Sequence, residues 1–582
     1  MLVDTKFIDP FLYTSGPRNA EVLLVGEAWG KAEDRLKSPF QGAAGNELNK
    51  ILFDAGFLRS QILCANVVNA RPKGNEFTEF LYSNTEAKKL GVPSFKGAYP
   101  KPIVIDGIAK LEALILVVQP KLIIGCGNIP LWALTSKAKV STKAGFKLPG
   151  GIMNWRGSQL YYTAPDGHQI PYLPIIHPAA ILRSWDLRAP TVHDLKARAQ
   201  AYLSYKLEWS EPKLNSDYSG DFLKVYNQLN FWIHRATNAK KPLKLAVDIE
   251  TWKRAHIACI GICDDKTELC IPFFYFDKDG NMIDQFSLPG EVMIIKKLQK
   301  LLTHPNVYII GQNYKYDYQF MYRTWCFKSK FNFDTMLAHH LLWPGTPKSL
   351  DYLASLYSHY YCYWKDESQE WDKDLNHQDL WKYNCKDIRN TYEIALVLED
   401  LLKSQNMTTQ YQMQLDQWEL TAEMEIDGVK IDTELRSKMN KELSTIAGQL
   451  EDYLLNCIPE NTRYTAAGGP WFTSPTLTMD IFYRQLGLQE QKNRKTKKPS
   501  ADAEAIDKLR KLYPWLKNIF DRLELLRSIS VFRSHFIEAK LSPDKRIRCS
   551  YNIGGTETFR WSSNLNPFDE GTNLQNITKG DE

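Results

Sequence analysis

Two carboxylates one residue apart close an apolar run, Leu245-Ala-Val-Asp248-Ile-Glu250-Thr251. Alternate residues of a strand share a face, so a strand here points Asp248 and Glu250 into one space. Like charges that close repel unless a cation lies between them, and carboxylate oxygen suits hard divalent ions such as Mg²⁺ or Mn²⁺. A second apolar run, Asn306-Val-Tyr-Ile-Ile-Gly311, leads into Gln-Asn313-Tyr-Lys-Tyr-Asp317. A third segment, Tyr383-Asn-Cys-Lys-Asp387, lies in a pattern of helical period, which puts Tyr383 and Asp387 on one face. Asp248, Glu250, Asp317 and Asp387 together suit two ions about 4 Å apart, which stabilise the attacking and leaving oxygens of a phosphodiester displacement. Tyr383 would orient the attacking water.

Two strands and a helix are the elements required to hold these groups. Their constellation resembles the DnaQ-like, DEDDy-type 3′–5′ exonucleases, and the resemblance implies a ribonuclease-H-like mixed sheet flanked by helices. Phe333-Asp334-Thr335-Met336-Leu337 and Lys348-Ser-Leu-Asp-Tyr-Leu-Ala are similar to further blocks of the exonucleases attached to family A DNA polymerases. The four carboxylates are the expected ligands of two divalent ions, Tyr383 completes the catalytic set, and Asn313 is expected to meet DNA.

A chain of 582 residues holds several domains, because single cores stop growing near roughly 250–300 residues. A composition of 44% hydrophobic and 24% charged residues is that of an ordinary globular protein. A net charge of +6 permits nucleic-acid binding without demanding it, so any basic surface must be local. Ten cysteines without a CxxC pair fit neither a disulfide framework nor a zinc ribbon, which points to reduced thiols in a cytoplasm. No apolar run reaches membrane-spanning length, and the N-terminus has no secretory pattern.

From Ala20 to Lys206 strands and helices alternate. Glu21-Val-Leu-Leu-Val25 reads as a strand, Gly26-Glu27-Ala-Trp-Gly30 as a turn, and later strands end near Asn66, at Gly125 and before His177. In an open α/β sheet the loops beyond the strands' carboxyl ends form the ligand crevice, where Glu27, Asn66 and His177 would converge. The segments Gly26–Asp34, Ser38-Pro-Phe40 to Gly45, Asn66 to Pro72 and His177-Pro to Arg183 resemble the family-4 uracil-DNA glycosylases across nearly this whole region. That resemblance implies a flipped base stacked on Phe40, its edge paired by the Asn66 amide, and charge on the departing base stabilised by His177. Glu27 would place the attacking water, and the loop ending at Arg183 would enter the duplex. Ala70 stands where an iron–sulfur ligand of the family would precede Arg71, so no cluster is expected, and Trp29 stands where the family usually has Pro. Base excision and a catalytically silent hold on DNA are both open for this domain.

A Pro-, Ser-, Asn- and Gly-containing stretch, 207–243, is expected to be a linker that carries a short amphipathic helix around residues 222–236. The exonuclease should occupy 244–404. Residues 405–545 read as mostly helical, with a long amphipathic helix from Thr433, and a basic run, Lys492 to Lys498, suits either a solvated loop or a phosphate backbone. Residues 546–582 resemble the start of a family A polymerase palm, which implies that Thr556, Arg560, Ser562, Ser563, Asn573, Gln575 and Asn576 grip DNA. Phe559 replaces the usual Gly there. The preceding helical region is then the thumb, and residues 1–206 the glycosylase-like domain.

The overall expectation is an α/β multidomain chain: a three-layer α/β domain, a ribonuclease-H-like domain, and a helical thumb with the first palm strands. No catalytic palm motif or fingers helix occurs, so the expected protein is the exonuclease-bearing part of a family A DNA polymerase, split or truncated. Its expected partners are a primer–template, a single-stranded 3′ end and a second polypeptide with palm and fingers, in a phage-infected host cytoplasm. Two other functions fit the sequence, an RNase-D-like exoribonuclease and an inert scaffold that docks a polymerase subunit onto DNA.

Overall fold

Strand-forming runs that are apolar throughout belong in the interior of a sheet covered on both faces. In the computed structural model, which describes residues 9–213, 215–369, 377–463 and 469–577, three such runs become neighbouring parallel strands. They are β1 (Val22–Ala28), β2 (Ile62–Val68) and β3 (Leu122–Cys126). With β4 (Leu160–Thr163) and β5 (Gln169–Ile175) they form a five-stranded sheet of order β2-β1-β3-β5-β4, antiparallel only at the β4 edge. Val22 and Leu24 of β1 pack with Leu48, Ile51 and Leu52 of helix α1 (Gly42–Asp54) in one buried cluster. Helix α2 (Pro102–Val118) lies against β2 and buries Val104, Ile108, Leu111 and Ile115, a spacing of three and four that makes one apolar stripe.

The chain divides into two compact units, Met1–Trp252 with His256–Tyr411, and Lys253–Ala255 with Gln412–Glu582. The first unit includes a second sheet, built from β6 (Asn215–Asp217), β7 (Leu243–Trp252), β8 (His256–Cys263), β9 (Thr267–Pro272), β10 (Val307–Gly311) and β11 (Phe333–Asp334). Its order is β11-β10-β7-β8-β9-β6, with antiparallel pairing in β7-β8-β9 and parallel pairing elsewhere. This is a mixed sheet, and the 28-residue helix α6, His377–Ser404, lies across β7, β8 and β9.

The stretch 207–243, expected as a linker, is folded into this unit. Strand β6 extends the second sheet along β9, and helix α3 (Phe222–Asn238) buries Val225, Leu229, Trp232, Ile233 and Ala236. Asp221 caps that helix by accepting from the Lys224 amide at 2.8 Å. The polar residues of 211–220 mark turns, but an apolar stripe of five residues needs a core, and the sheet supplies it.

In the second unit, helices Thr433–Asn456, Ala503–Leu512 and Lys517–Phe532 enclose a core that includes Leu454, Trp471, Phe482, Ile506 and Phe520. Two short strand pairs complete it, Val429–Lys430 with Arg546–Ile547 and Ser550–Asn552 with Ser562–Asn564. Residues 1–8, 214, 370–376, 464–468 and 578–582 of the expected domains lie outside the described residues. No helix among the described residues is long and apolar enough to cross a membrane.

Candidate active sites

Strand β7 delivers Asp248 and Glu250 to one face, as the alternation of its side chains requires. Opposite them on β8 the register shifts between Ile257 and Cys259, a bulge that bends the strand beside Glu250. Helix α6 brings Asp387 to the same place, so that carboxylate oxygens of Asp248, Glu250 and Asp387 all lie within 4.8 Å of one another. The helix can approach because β8 has a glycine there: a Cβ at Gly261 would sit 2.2 Å from Asn384 Oδ1. The amide of Asn384 uses this closeness to donate to Asp248 Oδ2 at 3.0 Å.

Asp317, on the first turn of helix α4 (Lys315–Trp325), is buried, and its Oδ1 accepts from the Ile249 amide at 2.8 Å. It thus braces the backbone between Asp248 and Glu250 and stands outside the group of three. Asn313, exposed and left-handed at φ 55°, precedes it. The Asp334 carboxylate accepts from the amides of Tyr314, Met336 and Leu337, which fixes the loop ahead of Asp317, and burial pushes its pKa up to about 6. Tyr383 is one turn before Asp387, with its hydroxyl 2.7 Å from Lys365 Nζ. Lys365 Nζ also donates to Asp387 Oδ2 at 2.6 Å, and the Trp364 indole donates to Asp387 Oδ1 at 2.5 Å.

Burial, reinforced by Asp387, pushes the Asp248 pKa up to about 7. Burial and the neighbouring carboxylates hold Glu250 and Asp317 well above the ordinary range. Buried oxygen donors whose charges oppose one another are the setting that a hard divalent cation relieves, so these residues fit Mg²⁺ or Mn²⁺.

The second candidate site lies at the carboxyl end of the first sheet. Strand β1 runs on through Ala28, so Gly26 and Glu27, expected in a turn, are the two strand residues before its last. A Cβ at Gly26 would meet Asn66 Oδ1 at 2.2 Å and the Phe40 ring at 2.8 Å, so Asn66 and Phe40 converge over this glycine. Phe40 is held at φ 55°, a left-handed conformation that sets its ring there. Burial pushes Glu27 up to about 7. His177 accepts from the Ala179 amide through Nδ1 at 3.2 Å, and burial with Arg183 lowers its pKa to about 4. It is therefore neutral, with Nε2–H left to donate. Arg183 is exposed, as are Leu182 and Trp185 beside it.

The residues present do not fit an iron–sulfur cluster. Residues 1–206 contain two cysteines, Cys64 and Cys126, each buried in a strand with its thiol pushed up by burial, and a cluster takes four thiolates. The Ala70 carbonyl accepts from the amide of Trp29, whose ring packs edge-on against Tyr13 at 5.1 Å.

In the second unit, Thr556 Oγ1 accepts from the Arg560 amide at 2.9 Å, closing a turn in which Phe559 has φ 58°. Ser563 is buried; its hydroxyl donates to Asn573 Oδ1 and accepts from the Gln575 amide. Ser562 packs on Gly555, where a Cβ would lie 2.1 Å from its Oγ. Of the residues expected to grip DNA, Ser563 is buried and uses its hydroxyl inside the loop, as a buried hydroxyl must, while Ser562 and Asn573 are half-buried. Arg560, Gln575 and Asn576 are exposed. The sequence reading missed Trp364, Lys365, Asn384 and the role of Asp334; of these only Asn384, beside Tyr383 and one turn before Asp387, carried a helical-spacing signal.

Residues 13–202 match the family described as the uracil DNA glycosylase superfamily, and residues 222–403 match the one described as 3′–5′ exonuclease. The type-4 uracil-DNA glycosylase of Pyrobaculum aerophilum is 30% identical over 183 residues, which cover 31% of this chain and 77% of that protein. DNA polymerase I of Borreliella burgdorferi is 26% identical over 293 residues, 50% of this chain and 30% of that protein. The chain spans under a third of the DNA polymerase I relatives it matches. The solved POL domain of Pol1 from M. smegmatis, in complex with DNA primer-template and dNTP, is 19% identical with a TM-score of 0.44, covering 61% of this chain and 55% of that one.

Proposed function

Because the chain belongs to the uracil DNA glycosylase superfamily through residues 13–202 and carries a 3′–5′ exonuclease domain like that of DNA polymerase I through 222–403, we propose that it trims 3′-terminal nucleotides of DNA as the proofreading part of a family A polymerase. The observation that carries this reading is the convergence of Asp248, Glu250 and Asp387 within 4.8 Å, with Tyr383 one helical turn from Asp387. Together with Asp317 they make the four carboxylates and one phenol of a DEDDy site. Asp248, Glu250 and Asp387 would hold divalent ions, which supply a polarised phosphoryl oxygen and an acidified water. Asp317 braces β7 from its place on α4, and Asn384 orients Asp248. Tyr383, its hydroxyl held by Lys365, would orient the attacking water.

In this reading residues 1–206 form the glycosylase-like domain, 244–404 the nuclease, 405–545 the thumb and 546–582 the start of the palm. Polymerisation needs a palm and fingers from outside residues 1–582, and the setting proposed is phage DNA replication in a host cytoplasm. The convergence of Phe40 and Asn66 over Gly26 supports a second activity, capture of a flipped base. The neutral His177 would donate to a base that gains negative charge.

The test is excision from a 5′-labelled primer with a 3′ mismatch, in Mg²⁺ or Mn²⁺, comparing wild type with Asp248→Ala/Glu250→Ala. Metal-dependent trimming of DNA that the double substitution abolishes supports the proposal. Preference for an RNA strand would favour an exoribonuclease, and no trimming by folded protein would favour a scaffold.

A further inference from the structure

The segment that reaches Asp387 is anchored on the glycosylase-like side of the same unit. Residues 359–364 run along residues 154–160: the Gln159 amide donates to the Tyr361 carbonyl at 2.7 Å, and the Tyr361 amide donates back to Gln159 Oε1 at 3.1 Å. The Tyr363 amide donates to Ser158 Oγ at 3.1 Å, and Asn154 Nδ2 donates to the Tyr363 hydroxyl at 3.1 Å. Ser158, Gln159, Tyr361, Tyr363 and Trp364 are all buried. At the start of this strap Arg198 donates to the carbonyls of Ser358 and His359, each at 2.8 Å. Its far end is Trp364 and Lys365, whose donors fix both oxygens of Asp387 and the hydroxyl of Tyr383.

We propose that residues 358–365 are a strap through which the glycosylase-like domain positions Asp387 and Tyr383, with Trp364 and Lys365 as its positioning residues. The proposal rests on the exonuclease reading of the site. A carboxylate that ligates a metal needs its remaining orientation fixed by a second layer of donors, and removing such a donor typically costs about 10–100-fold in metal affinity. The indole of Trp364 has a single N–H, so its bond selects one rotamer of Asp387. Lys365 ties the same carboxylate to Tyr383, so the two groups cannot shift independently. Neither residue can hold its place without the backbone before it, and that backbone is paired to residues 154–160. The glycosylase-like domain therefore also sets the geometry of a site it does not line.

The experiment titrates Mn²⁺ into the full chain by calorimetry and, in parallel, measures the Mg²⁺ dependence of trimming a 5′-labelled single strand. Trp364→Phe is expected to weaken Mn²⁺ binding about tenfold, raise the half-saturating Mg²⁺ in step and leave KM for DNA unchanged. Lys365→Met lowers kcat and Lys365→Arg recovers most of it. Asn154→Ala/Ser158→Ala, a change confined to the glycosylase-like side, shifts Mn²⁺ affinity in the same direction by about threefold. That pair removes only small polar contacts, so it decides the matter even where Trp364→Phe fails to fold. Wild-type Mn²⁺ affinity in Asn154→Ala/Ser158→Ala, or an effect on KM for DNA alone, overturns the strap. Strap-dependent Mn²⁺ binding in a chain that trims nothing would sustain the strap and overturn the exonuclease reading.

Discussion

Arg156 is the charge on which the first unit's interior turns. It is 3% exposed, its Nε donates to Asp194 Oδ2 at 2.8 Å, its Nη2 meets Asp194 Oδ1, and its Nη1 donates to Ser355 Oγ at 3.0 Å. Asp194 is fully buried, and burial raises its pKa against the pull of Arg156. Arg156→Ala leaves that carboxylate without its main partner, a change that costs about 3–5 kcal/mol in a buried pair. Unfolding entropy of about 2.1 cal/mol/K per residue over about 400 residues converts this into a Tm loss of about 4–6 °C. The sign of the pH effect follows from Asp194. A carboxyl whose pKa is raised in the folded state contributes stability below its unfolded pKa and loses it as pH rises through the folded value. Losing Arg156, which holds the Asp194 pKa down, raises that pKa further, so the Tm gap between wild type and Arg156→Ala should widen from pH 5 to pH 8 in scanning calorimetry. Arg156→Met/Asp194→Leu removes both charges and should recover a large part of the loss. A gap of under 1 °C at pH 8, or one independent of pH, would show that the buried Asp194 carboxylate does not depend on Arg156.

Other consequences are as direct. Gly261→Ala drives a methyl into Asn384 and should cost about 1–3 kcal/mol, seen as lowered Tm together with slower trimming, because the helix that carries Asp387 must retreat. Unchanged trimming would show that α6 has room to spare. Since Asp248 is pushed up to about 7, ion binding must displace protons there, so the Tm gain from Mn²⁺ should be larger at pH 8 than at pH 6. Equal gains at both pH values would contradict the carboxylate cluster as the binding site. Gly26→Ala fills the space over which Phe40 and Asn66 meet and should abolish retention of a uracil-containing strand over its thymine counterpart in an anisotropy assay. Retained discrimination would place base recognition elsewhere.

Much of the nuclease centre was legible because it depends on local periods. Asp248 and Glu250 follow from the two-residue repeat of a strand, and Tyr383 with Asp387 from the turn of a helix. Trp364 and Lys365 carry no such period; their place is set by pairing to residues some 200 positions earlier, which no local window records. The stretch 211–220 misled because its Pro, Ser, Asn and Gly are turn residues, yet Asn215–Asp217 finds an open sheet edge at β9 and joins it. Ser563 matched a family segment by type, whereas its burial decides that its hydroxyl bonds Asn573 and the Gln575 amide inside the loop. At the carboxyl end of the first sheet the strand ends were legible from the apolar runs, except that β1 continues through Glu27, and of the expected residues Phe40 and Asn66 meet over Gly26.

The proposed nuclease requires Asp248, Glu250 and Asp387 to hold the divalent ions used in cleaving a 3′-terminal phosphodiester. Diffraction at the manganese absorption edge, from crystals grown with Mn²⁺ and a 3′-terminal nucleoside monophosphate, tests it most directly. Anomalous density bounded by these three carboxylates is expected in wild type, with none in Asp248→Ala/Glu250→Ala. Trimming by wild type with no manganese at these residues would contradict it.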